Sequence, residues 1–172
     1  MALIETAMNE YHKHTCIRFT YKKPTDVDYI SIESENTGCW SSIGRYGGKQ
    51  VVNFQNPGCL VKVGTIMHEL MHVLGFFHEQ NREERDDHVT VYYNNIKKGA
   101  EDNFVKLEKG LTSGYGIGYD YGSVMHYSQY AFSSNNQPTL TPKFKTSVQI
   151  GQRDGFSAND IAKIKAMYKC KI

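Results

Sequence analysis

One short run constrains this chain more than any other: His68-Glu69-Leu70-Met71-His72-Val73-Leu74-Gly75-Phe76-Phe77-His78-Glu79. Residues four apart on a helix share a face, so His68 and His72 can reach a single metal ion. Gly75 can turn the chain through positive φ just past the helix, which returns His78 from the loop as a third ligand. Three neutral imidazole nitrogens with one position left open is the arrangement of catalytic zinc. Glu69 then lies beside the open position, placed to take a proton from a water activated there. A core helix with two hydrogen-bonded histidines would satisfy the first part of the pattern, but it has no need of the glycine or the third histidine. The run therefore predicts one catalytic Zn2+ and hydrolysis of peptide bonds.

The long form H-E-x-x-H-x-x-G-x-x-H is the metzincin signature, and the glutamate that follows it, Glu79, resembles the astacin family of zinc metalloendopeptidases. A second marker lies further on: Ser123-Val124-Met125-His126-Tyr127 is similar to the family's Met-turn, S-x-M-H-Y. The resemblance runs from about Tyr11 to Cys170. It implies that Met125 forms an apolar floor under the metal without binding it. It also implies that Tyr127 is a fifth, displaceable zinc ligand, which leaves the ion to hydrogen-bond the tetrahedral intermediate. The fold it implies is α+β and two-lobed, the metzincin/zincin fold. A twisted mixed sheet with helices fills a first lobe of about residues 1–78, and a mostly irregular second lobe of about 79–172 ends in one long helix. Together these make a single catalytic domain over 1–172.

Composition excludes other classes. At 172 residues and net charge +2, with no dominant basic run, the chain gives no reason to invoke nucleic acid. No apolar run approaches the roughly 18 residues of a membrane span. The charged run Arg82-Glu83-Glu84-Arg85-Asp86-Asp87 reads as solvated or internally paired. Gly114, Gly116 and Gly118 follow no phosphate-loop template and read as a flexible loop ahead of the Met-turn. The expected partner is a protein or peptide substrate, met by a monomeric domain.

Four cysteines are present without a C-x-x-C pair, and sequence alone leaves three pairings open, beside four buried free thiols. The resemblance implies Cys39 with Cys59 and Cys16 with Cys170, links worth on the order of 3–5 kcal/mol each. Disulfides imply an oxidising compartment, hence a secreted enzyme. The first residues lack the basic start and apolar core of a signal peptide. The resemblance further implies that the chain begins inside the family's catalytic domain, after an early strand. In the family Glu79 receives the buried N-terminus of the mature enzyme; here it is expected to face water or another donor.

Periodicity supplies the elements. Leu3, Ala7, Met8 and Tyr11 predict a first helix, and the alternation of Ile17, Phe19 and Tyr21 a half-buried strand. Tyr29–Ile32 and Val51–Phe54 are further strands, with a glycine-rich turn at Gly44, Gly47 and Gly48 between them. Thr65 is the expected cap of the metal-binding helix, whose buried side is Ile66, Leu70, Val73 and Leu74. A helix over Gly99–Leu107 is expected, and a last one over Ser157–Tyr168, opened by a Ser157/Asp160 capping box and striped by Ile161, Ile164 and Tyr168. By resemblance, an edge strand at Cys39-Trp40-Ser41 takes the substrate as an added strand. Trp40 reads equally as part of that substrate-binding strand or as a cover for the core or the disulfide. The cleft is expected between the lobes, with zinc at its floor.

Overall fold

Hydrophobic periodicity places the first helix, α1 (Ala2–His14), with Ile4, Ala7 and Tyr11 on its buried side. The computed structural model describes residues 2–111 and 113–171. After α1 come strands β1 (Tyr29–Glu33), β2 (Cys39–Ser41) and β3 (Lys49–Phe54), then helix α2 (Val63–Val73). They form a mixed three-stranded sheet in the order β1-β3-β2. β1 runs parallel to β3, pairing Tyr29 with Lys49, and β2 runs antiparallel, pairing Cys39 with Phe54. The glycine turn holds: Gly44, Gly47 and Gly48 all have positive φ.

Two compact units emerge, Met1–Phe76 with Arg153–Ile172, and Phe77–Gln152. The closing helix α4 (Ala158–Met167) thus groups with the first unit, whereas the expected boundary set it in the second lobe. The reason is local and specific. Cys16 is joined to Cys170, the Tyr11 ring packs edge-on against Phe156 at 4.7 Å, and the Gly64 amide donates to the Arg153 carbonyl at 3.0 Å. The buried apolar side chains of this unit include Tyr11, Val52, Phe54, Ile66, Leu70, Met71 and Ile164.

The second unit holds the 3₁₀ turn Glu79–Asn81, a one-turn helix α3 (Arg85–His88), and the antiparallel pair β4 (Val89–Val91) and β5 (Leu140–Pro142). Its core is Val89, Ile96, Phe104, Leu140 and Ile150. The α+β class is as expected, and both disulfides take the pairing that the resemblance implies.

Several local expectations give way to side-chain chemistry. Residues 17–21 keep the alternation as far as Thr20 but form no ladder, and Tyr21 is 88% exposed. Their amides are taken locally instead: Phe19 N–H donates to His12 Nε2 and Ile17 N–H to the Thr15 hydroxyl. Thr65 lies inside α2, whose N-cap Lys62 makes no side-chain cap, and the Arg153 carbonyl satisfies the orphan Gly64 amide instead. The helix expected over 99–107 shrinks to a 3₁₀ turn at Glu101–Phe104. Asn81 draws the rest out of helix: its Nδ2 donates to the Asn103 and Val105 carbonyls, and its carbonyl accepts from Leu107. Ser157 and Asp160 do form a capping box, but Tyr168 ends the stripe on the surface, its hydroxyl donating to the Leu74 carbonyl. The 82–87 run is internally paired through Arg82–Glu84 and Arg85–Asp86.

Candidate metal centre and active site

Helix α2 is buried over nearly its whole length, and that burial sets the chemistry of its polar residues. His68, Glu69 and His72 are only 5–6% exposed. Burial pushes the His72 imidazole down to about 4, which keeps it neutral and ready to ligate. Its Nδ1 lies 2.7 Å from the Phe76 carbonyl, a partner that fixes the proton there and turns Nε2 toward His68. The two Nε2 atoms are 3.1 Å apart. Around an ion with bonds of 2.0–2.1 Å, tetrahedral neighbours stand about 3.3 Å apart, so the helix holds both imidazoles at the spacing of one zinc.

The chain leaves the helix through Gly75, at φ +103°, where a Cβ would meet Met167 Cε at 3.0 Å. That turn brings His78 in extended backbone back toward its two predecessors. One ligand atom from each of His68, His72 and His78 then falls within 4.8 Å of the others. Three imidazoles suit zinc in chemistry as well as in spacing. Glu69 is held beside them by its place on the helix. Burial raises its carboxyl from the ordinary range to about 7, against the pull of the Arg153 guanidinium.

The Met-turn closes on the residues just after His78. Glu79 N–H donates to the Met125 carbonyl at 3.1 Å, and Tyr127 N–H to Gln80 Oε1 at 3.0 Å. Met125 is buried, and the Tyr127 ring lies 4.4 Å from the His78 ring. Glu79 is buried too and has donors of its own: Arg82 Nη1 at 3.0 Å and the Asp120 amide at 2.9 Å. Arg82 reaches on to the Ile117 and Gly118 carbonyls, so the glycine-rich loop read as flexible is tied down. Sequence reasoning missed Gln80, Arg82 and Asp120. Only their closeness to the motif could have flagged them, since a buried ion pair and an amide acceptor follow no spacing rule.

Cys39-Trp40-Ser41 forms β2, an edge of the three-stranded sheet. Trp40 is 41% exposed and donates to Thr37 Oγ1.

Comparison with known proteins agrees with this constellation. The chain is 49% identical over 171 residues to zinc metalloproteinase nas-15 and 49% identical over 167 residues to zinc metalloproteinase nas-13, both of Caenorhabditis elegans. Those matches cover 99% and 97% of this chain but only 29% and 36% of the relatives, so the chain spans about a third of their length. Among solved structures, high choriolytic enzyme 1, a hatching enzyme zinc-protease of the medaka Oryzias latipes, superposes with a TM-score of 0.92 at 42% identity. That match covers 99% of this chain and 82% of the other. The family model for Astacin, a family of peptidases, matches residues 1–169, and the chain belongs to that family.

Proposed function

We propose that the chain is the catalytic domain of a secreted zinc-dependent endopeptidase. The observation that carries the reading is the cluster of His68, His72 and His78, within 4.8 Å of one another, with the buried Glu69 carboxyl on the same helix. Bound there, zinc would supply a Lewis acid that acidifies water and polarises a carbonyl oxygen. Glu69 accepts the proton of the water that adds to the scissile carbonyl and returns it to the departing amine. Burial, which raises the carboxyl above its ordinary range, favours its holding the proton between the two halves of that task. Tyr127, beside His78, would be a further displaceable ligand of that ion, and its hydroxyl donates to the oxygen that gains charge. Gly75 is the structural turn between the helical and loop ligands. Glu79 anchors the segment that carries His78, and Met125 packs beneath it. The open edge of β2 takes an extended peptide, with Trp40 exposed to meet it.

Two disulfides support an oxidising, extracellular setting, and no helix among the described residues is long and apolar enough to cross a membrane. The test is cleavage of denatured casein by the zinc-loaded domain, with and without a chelator. Internal cuts that stop with chelator and return with zinc are expected. A folded, zinc-bound domain that leaves casein whole would overturn the reading.

A further inference from the structure

The two-stranded sheet of the second unit has unlike edges. Lys143 N–H donates to the His88 carbonyl and Tyr92 N–H to the Thr139 carbonyl, which fixes the phase of the ladder between β4 and β5. Main-chain groups alternate along an antiparallel strand, so those of Val89 and Val91 turn away from β5. The Val89 amide is taken by the Arg85 carbonyl, whereas Val91 turns both its N–H and its C=O outward. The far edge of β5 is closed by contrast: Pro142 has no N–H, and the Leu140 amide donates to the Gln129 carbonyl at 3.2 Å.

A cleft of about 620 Å³ follows the open edge. Val89, Thr90 and Val91 all line it, and since successive side chains point to opposite faces of a sheet, three in a row trace a strand's edge. Its charge is one-sided, with Arg85, Lys106 and Lys143 set against Asp86 alone. Arg85 is buried, its guanidinium held by the Gln80 and Phe104 carbonyls at 3.0 and 2.8 Å, so that charge is fixed beneath the cleft. Asp86 is engaged by both Arg85 and Lys106, the latter at 2.7 Å. Lys143 has no ion-pair partner among the described residues.

We propose that this cleft is an exosite for an acidic, extended segment of the protein substrate, which adds to the β4 edge at Val91 and sets its carboxylates against Lys106 and Lys143. The inference rests on the endopeptidase reading above and names a substrate class for it. An open edge pairs with any extended backbone, so the strand supplies affinity without sequence. The lysines supply the choice, because an acidic segment gains from their charge and a basic one is repelled. A sulfated glycan would answer the charge but brings no strand of amides and carbonyls for Val91. The cleft shares no residue with the histidine cluster, so it acts on how substrate is held and not on the bond-breaking step.

The test compares the zinc-loaded domain with Lys106→Gln/Lys143→Gln on two substrates: casein, which is acidic, and a short neutral peptide. Glutamine at position 106 keeps a donor for Asp86. KM for casein should rise about three- to tenfold with kcat unchanged, an effect that fades toward ~0.5 M salt, while the neutral peptide is cut as before. Lys106→Arg/Lys143→Arg keeps the charges and should keep the parent KM. A second measurement needs no cleavage: fluorescence anisotropy of a labelled Glu-Val repeat peptide on the Glu69→Ala domain. Binding is expected, with loss when the two lysines are also glutamine, and loss again when alternate amides of the peptide are methylated. Equal binding by the methylated peptide, displaced by heparin, overturns the strand and makes the cleft a sulfated-glycan site. No binding of the repeat peptide, an unchanged casein KM, or an equal loss on the neutral peptide overturns the exosite. If the parent domain cuts neither substrate, the endopeptidase reading falls, and the anisotropy still decides whether the cleft takes an acidic strand.

Discussion

At the scale of single residues, burial does most of the chemical tuning. Glu69 and His72 sit on the same buried helix, and the same desolvation drives one pKa up and the other down, because each prefers its neutral form away from water. The role proposed for Glu69 as general base is therefore testable apart from the histidines. Glu69→Ala should retain one zinc per chain by metal analysis and lose about 10²–10⁴-fold in kcat on casein. Retained turnover in a zinc-bound variant would sink the assignment. His68, Glu69 and His72 were legible because the proposed chemistry forces a helical spacing, and His78 because a glycine turn must return it to them. Trp40 was legible only as a choice between a place on a substrate-binding edge strand and a cover for the core or the disulfide, and it lies exposed on the edge strand. Glu79 was left facing either water or another donor, and the Arg82 side chain and Asp120 amide that it takes were not legible.

At the scale of elements, the metal-binding helix depends on a contact that no local rule announces. Gly64, in its first turn, packs so tightly that a Cβ would stand 2.3 Å from the carbonyl carbon and oxygen of Arg153. Helix propensity alone favours Gly64→Ala by about 1 kcal/mol. The clash is with backbone, which no rotamer change relieves, so overpacking wins by about 2 kcal/mol or more. A fall in Tm of at least about 4 °C is expected, whereas Gly155→Ala, with open space at its Cβ, should move it by less than about 2 °C. A Gly64→Ala domain as stable as the parent would remove the packing argument. The same contact lets the helix start before Thr65, because the Gly64 amide of the first turn is met across space by the Arg153 carbonyl. Elements backed by long periodicity, α1, α2 and α4, were legible. The strand at 17–21 and the helix over 99–107 were not, because His12, Thr15 and Asn81 compete for their backbone groups.

At the scale of the whole molecule, the termini of the first unit are tied by chemistry rather than by sequence order. Arg153–Ile172 groups with Met1–Phe76, and the Cys16–Cys170 link that secures it closes a sequence separation of 154, against 20 for Cys39–Cys59. A pattern read along the chain assigns a closing helix to whatever precedes it, so the grouping of α4 was beyond periodicity and came only through the cysteine pairing. If restriction of the unfolded chain is what the links contribute, the longer loop is worth about 5 kcal/mol and the shorter about 3 kcal/mol. Urea unfolding of Cys16→Ala/Cys170→Ala and Cys39→Ala/Cys59→Ala should therefore rank the long-range pair as the larger loss. Cys59 is buried, so its truncation adds a packing cost that narrows the gap. An equal or reversed order would show that packing around Cys59, and not loop closure, is the main contribution of these bonds. The functional consequence follows from the same tie. Arg153 opens the closing segment and acts electrostatically on Glu69, so losing the Cys16–Cys170 link should disturb the site before it unfolds the chain. At urea concentrations below the unfolding transition, casein cleavage by that variant should fall while its far-ultraviolet circular dichroism is still native. Loss of both together would place the closing segment and the site in one cooperative unit.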